Sequence, residues 1–201
     1  ARAIRVTGDD RYKQAFHKGF DHVLTAQYPN GGWPQFYPLS KGYHRHITFN
    51  DGSMIRLLQF LRDVTTKEDL AFLDDDRRTA AARAIQKGIN CIMKCQVVVD
   101  GAPTVWCAQH DAESLVPVQA RSYEHPSLSG AESVGILLFL MSLDEPTPEV
   151  VRAVKAGAAW FESAKIEGFR YRKSRTEPAL VKDPKARPLW ARFYEIETSR
   201  P

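Results

Sequence analysis

The sequence predicts an all-α protein: an α/α toroid, incomplete within these residues, in which paired helices ring a common axis and long loops form a cleft. Three observations carry this. Three helical segments repeat at a fixed interval. Between them lies a second, more apolar set of helices. The connections are long and rich in Pro, Gly and aromatics.

The repeat aligns residues 18–27 (KGFDHVLTAQ), 87–96 (KGINCIMKCQ) and 156–165 (AGAAWFESAK). Gly19, Gly88 and Gly157 are spaced by 69 residues in both intervals, and Val23, Ile92 and Phe161 fall in the same register. Each segment has the 3-and-4 apolar spacing of an amphipathic helix. Glycine costs about 1 kcal/mol in a helix interior, so its recurrence predicts close helix–helix approach. The second set opens with 1–6 and continues with 53–64 and 129–143, where Ser129…Glu132 has the spacing of a capping box. Units of this length bury their apolar faces by stacking on neighbours. The very apolar 134–141 is therefore expected among the inner helices, and the charged 76–96 among the outer ones. The whole of 1–201 reads as a single segment of one domain.

The loops 28–52, 98–126 and 167–190 exceed the roughly 12–15 residues usual in compact domains. The first two are too aromatic for disordered linkers and are read as cleft walls. Composition sets bounds on partners. The 201 residues carry 28 Lys+Arg against 24 Asp+Glu, a net charge of +4. No dense basic block with interleaved aromatics marks a nucleic-acid surface, and no apolar run reaches the roughly 18 residues of a membrane span. Neither partner is expected, and the chain is expected to be a monomer. Three cysteines, Cys91, Cys95 and Cys107, cannot complete a disulfide framework and are expected as buried free thiols.

Several constellations could carry chemistry. Trp33 and Phe36 suit sugar rings or cap the core. Asp51 is either the N-cap of the next helix or, beside Asn50, an oxygen ligand for a hard cation such as Ca²⁺. His110 and Asp111 adjoin, and Asp51 with Asp111 would supply the two carboxylates of an inverting glycosidase. No nucleophile elbow supports a serine triad. Lys41, Arg45, Arg121 and Arg192 would favour an anionic ligand if they share a cleft.

YPNGGWPQFYP, HITFNDGSM, WCAQHD, ARSYEHPSLSGAES and PLWARFYEIET, in this order, resemble motifs of the family 10 pectate lyases across essentially the whole chain. The resemblance implies an α/α toroid that cleaves polygalacturonate, an anionic polysaccharide, by Ca²⁺-dependent β-elimination to 4,5-unsaturated oligogalacturonides. It implies Asp51 as a metal ligand and Arg121 as the base that removes the C5 proton, under alkaline conditions. Lys41, His46, Trp106, Gln109, His110, Asp111 and Arg192 would shape the substrate cleft, while Glu124 and Glu132 would orient Arg121 or cap a helix. Because the substrate lies in the plant cell wall, secretion is implied. Family domains are longer, with an Asp-Asn pair before Ala1 and a Gly-Arg-Asp-Gly segment after Pro201. The chain therefore reads as the C-terminal part of such a domain, incomplete at both ends and weakly active or inactive on its own. The remaining alternatives are the inverting glycosidase and a non-catalytic pectin-binding fragment.

Overall fold

The computed structural model describes residues 2–173, 176 and 179–201. The first residue of the expected opening helix and the middle of the third long loop lie outside the described residues. The described chain is helical: α1 (Arg2–Thr7), α2 (Asp10–Thr25), α3 (Ser53–Thr66), α4 (Asp75–Cys95), α5 (Gly130–Met141) and α6 (Pro148–Ser163). Helix starts follow capping chemistry. Asp9 accepts from the Arg11 amide, Asp74 from that of Arg77 and Thr147 from that of Val150, with Pro148 opening α6. The Asp9 cap carries α2 well upstream of the repeat segment.

The helices form two rows. α2, α4 and α6 lie side by side, and α3 packs against α4 and α5 against α6, with α3 touching α5. The outer row is joined by a repeated hydrogen bond. Gln27 donates its side-chain amide to the Ala84 carbonyl at 2.9 Å, and Gln96 donates likewise to Ala153 at 3.0 Å. Both partners are 69 residues on. The loops repeat the theme: the indoles of Trp33, Trp106 and Trp190 each donate at 2.8 Å to the carbonyls of Val23, Ile92 and Phe161, the three register-matched positions.

Two of the three repeat glycines behave as expected. A methyl on Gly88 would lie 2.6 Å from Leu58 Cδ2 of α3, and one on Gly157 2.9 Å from Leu137 Cδ2 of α5. Gly19 meets nothing within 4 Å among the described residues. α5 is the most apolar helix of the chain. It packs on α3 and α6, but Val134, Leu138 and Met141 form an open apolar stripe on its other side.

The core runs through Phe20, Trp33, Phe49, Leu58, Ile92, Trp106, Leu128, Phe139 and Tyr194. All three cysteines are free and buried, with Cys91 and Cys95 sulfurs 4.0 Å apart. Strands are short clips between loops: β1 (Ile47–Thr48), β2 (Val98–Val99), β3 (Ala102–Pro103), β4 (Gln109–His110), β5 (Leu128–Ser129), β6 (Phe169–Arg172), β7 (Ala179–Lys182) and β8 (Phe193–Tyr194). Each pairs antiparallel with one partner, in the order β1–β4, β2–β3, β5–β8 and β6–β7.

Candidate active site

Two of these clips bring distant residues together. β1 pairs β4 with Ile47 opposite His110, and the amides of Phe49 and Asn50 both donate to the Ala108 carbonyl. β5 pairs β8 with Ser129 opposite Phe193, and the Gly130 amide donates to the Arg192 carbonyl at 2.8 Å. Asn50, Arg121, Glu124, Glu132 and Arg192 thereby meet at one end of α3 and α5.

Buried acceptors organise this centre. Glu124 is 1 % exposed, Asn50 2 % and Glu132 7 %. Arg121 donates Nε to Glu124 Oε2 at 2.7 Å and Nη2 to Glu124 Oε1. Asn50 donates Nδ2 to Glu124 Oε2 at 3.0 Å. Arg192 donates Nη2 to Asn50 Oδ1 at 2.9 Å and to Glu132 Oε1 at 3.0 Å, and lies 3.4 Å from Glu124 Oε1. Two buried carboxylates are thus matched by two guanidiniums, as desolvated charges require. Burial alone would push the Glu124 carboxyl up. The hydrogen bonds from Arg121 and Asn50 outweigh it and leave Glu124 below its ordinary range. In return, the Glu124 hydrogen bond holds the Arg121 guanidinium well above arginine's usual value. Among the described residues, Nη1 of Arg121 has no hydrogen-bond partner.

The expected capping box resolves differently. Ser129 is the N-cap of α5, but its hydroxyl makes no bond to the backbone amides of the first turn. It donates to Glu132, which also receives Arg192. The Ser129 amide that a capping box would offer Glu132 donates instead to the Trp106 carbonyl at 2.8 Å, which leaves Glu132 to Ser129 Oγ and Arg192.

Asp51 is not an N-cap. It sits in a single 3₁₀ turn, Asn50–Gly52, with φ +53°, and Gly52 precedes α3. Its carboxylate is 67 % exposed, with oxygens 3.8 Å from Arg121 Nη2 and 4.0 Å from Arg192 Nη2. Those distances exceed hydrogen-bond range, so its lone pairs face outward and unspent. Such a group suits a hard cation, yet Ca²⁺ takes six to eight oxygens. Among the described residues no cluster of three or more His, Cys, Asp or Glu is placed to hold a metal. Asp51 fits as one ligand and does not complete a site.

The other expected site residues separate into surface and support. Lys41, Tyr43, Arg45, His46 and Gln119 line a cavity of about 420 Å³ that reaches Ala120, next to Arg121. Burial, opposed by nearby Asp111, holds the His46 imidazole below its ordinary value. An apolar groove of about 530 Å³, lined by Val134, Phe161, Trp190 and Arg192, flanks the other side. Trp106, Gln109 and His110 are fully buried, so any part they take in shaping the cleft runs through the loops they hold. Trp106 belongs to the core. Gln109 donates to Gln35 and Thr48, and His110 Nδ1 contacts the Leu115 carbonyl at 2.8 Å. Asp111 is not paired with His110. It accepts from the amides of Glu113 and Ser114, with His46 Nδ1 3.9 Å away. Trp33 is core and Phe36 is surface, stacked on His44 at 4.4 Å.

Sequence reasoning placed Asn50 only beside Asp51; its hub role, linking Glu124 to both arginines, had no signal beyond that adjacency. The same holds for Gln119 in the cavity wall.

A family model described as pectic acid lyase matches residues 1–201. The chain belongs to the pectic acid lyase family. Among solved structures, it resembles a family 10 polysaccharide lyase from Cellvibrio cellulosa, with 39 % identity and a TM-score of 0.91, covering 98 % of this chain and 62 % of that one. A mutant of the Cellvibrio cellulosa family 10 lyase in complex with trigalacturonic acid matches with the same identity and TM-score, over 98 % of this chain and 63 % of that one. The chain thus spans less than two thirds of these pectic acid lyase relatives. A comparison with curated proteins returned no match.

Proposed function

We propose that the protein is a polysaccharide lyase that cleaves polygalacturonate by β-elimination, giving 4,5-unsaturated oligogalacturonides. The observation that carries this is the placement of Arg121, with Nη1 free, between the Lys41–Arg45–His46 cavity and Arg192. An anionic polymer is drawn to such a cationic wall. Arg121 is the proposed acceptor of the C5 proton, at Nη1, in the small fraction of molecules in which Nη1 has first released a proton to water; Arg192 and Lys41 pair with substrate carboxylates and His46 donates a hydrogen bond to them. Glu124 opposes loss of charge from Arg121, so only a small neutral fraction reacts, and alkaline conditions enlarge it. The C5–H bond breaks as the C4–O bond breaks, and water protonates the leaving oxygen.

Asp51 is the residue that would ligate a Ca²⁺ ion here, as one oxygen ligand among several. When bound, the ion withdraws charge from the carboxylate next to C5 and so acidifies that proton. The two helical rows are proposed to belong to an α/α toroid, consistent with the repeated Gln–Ala and Trp–carbonyl bonds. A monomer secreted toward plant-wall pectin completes the reading. The inverting glycosidase is disfavoured by Asp111. Its amide hydrogen bonds, from Ser114 first, hold its carboxyl below the ordinary range, opposite to what a general acid needs.

Incubation with polygalacturonate, with and without a chelator, tests this by ultraviolet absorbance of the unsaturated product. Absorbance that depends on Ca²⁺ and is lost in Arg121→Ala is expected. New reducing ends without absorbance would overturn the lyase reading, and binding without cleavage would leave only a pectin-binding module.

A further inference from the structure

We infer that Glu124 is a positioning residue whose buried carboxylate holds Arg121 and Arg192 in one fixed arrangement, so that Nη1 of Arg121 meets the bound substrate. This rests on the lyase reading.

The geometry is specific. Three residues from three parts of the chain, Asn50, Arg121 and Arg192, converge on the Glu124 carboxylate. Arg121 grips it side-on, through Nε and Nη2, which fixes the plane of the guanidinium and leaves Nη1 as the outward corner. Arg121 also donates its own backbone amide to Glu124 Oε2 at 3.3 Å, so main chain and side chain are set by one acceptor. Asn50 ties the same oxygen to the turn that carries Asp51. Arg192, from the far end of the chain, lies 3.4 Å from the other oxygen and bonds Asn50 Oδ1. With 1 % exposure, Glu124 touches no substrate, and it acts through these neighbours. Glu132 provides the contrast. It receives Arg192 and the Ser129 hydroxyl, and no bond to Arg121.

Glu124→Gln keeps the shape but cannot accept both donors of Arg121 with full charge. Misplacement by about 1 Å can cost on the order of 100-fold in rate. The expected result is a fall in kcat of about 10- to 100-fold with KM within about threefold of wild type. Glu132→Gln acts through Arg192, so it is expected to raise KM and lower kcat far less. An independent readout is the exchange of the Arg121 Nε proton with water, followed by ¹⁵N NMR of the whole chain and identified by its absence in Arg121→Lys. Slow exchange in wild type and fast exchange in Glu124→Gln is expected. Equal kcat losses in the two variants, or unchanged exchange in Glu124→Gln, would overturn the inference. A full-length protein containing this chain that eliminates nothing would sink the lyase reading instead, while the exchange measurement still decides whether Glu124 holds Arg121.

Discussion

Gln96 donates its side-chain amide to the Ala153 carbonyl at 3.0 Å, joining α4 to α6 from a position just past the end of α4. The same amide donates to the Thr104 carbonyl at 2.9 Å, so one side chain fastens a helix and a loop. Replacement by Ala removes both bonds and leaves two carbonyls to find water. At about 1 kcal/mol net per bond, Gln96→Ala is expected to lower stability by about 2 kcal/mol in urea denaturation. An unchanged midpoint would show that the row does not depend on this bond.

The repeat glycines predict opposite outcomes for one substitution. Gly88→Ala drives a methyl to 2.6 Å from Leu58 Cδ2 and 3.1 Å from Trp33 Cζ3, both in fully buried side chains. A loss of about 1–3 kcal/mol is expected. Gly19→Ala meets nothing within 4 Å and removes a poor helix former, so a gain of up to about 1 kcal/mol is expected. Thermal unfolding of the two variants should therefore move in opposite directions.

Stability should fall between neutral and mildly acidic pH. His110 is fully buried, and burial lowers its imidazole from 6.5 to about 4. In that window the unfolded chain binds a proton that the folded chain refuses. The contribution is therefore complete above pH 6.5 and is lost as pH falls toward about 4. The loss amounts to about 3 kcal/mol. His46, also depressed by burial, adds in the same direction. Denaturation at pH 7 and pH 4.5 should show the loss, and His110→Gln should flatten it.

Asp51→Asn should separate metal from fold. Its carboxylate is exposed and makes no hydrogen bond among the described residues, so stability should change by less than about 0.5 kcal/mol. The Ca²⁺ concentration needed for half-maximal elimination should rise at least about tenfold, and a chelator should abolish the wild-type reaction. Equal calcium dependence in the variant would remove Asp51 from the metal site.

Much of the fold was legible because helices obey local rules. Apolar spacing marked α3, α4 and α5 almost to their ends, and the 69-residue register marked α2, α4 and α6. The N-terminal reach of α2 was missed because Asp9, not the apolar pattern, starts it. Arg121, Asp51 and Arg192 were legible through motif resemblance, and folding does bring them together. Trp106, Gln109 and His110 carried the same motif signal and are buried; their burial depends on packing that motif matching does not contain.

Sequence periodicity determined the helices and their repeat, since both follow from spacing within a few turns, and composition marked the long aromatic loops. Only the tertiary structure decided which charges meet. Arg121 and Glu124 are three residues apart, but Asn50 and Arg192 are 142 apart and join them through the β1–β4 and β5–β8 clips. Burial of Glu124 and Glu132 then makes pairing with the two arginines obligatory, because an unpaired charge there would cost several kcal/mol. That desolvation, and not residue type, sets the direction in which Arg121 points.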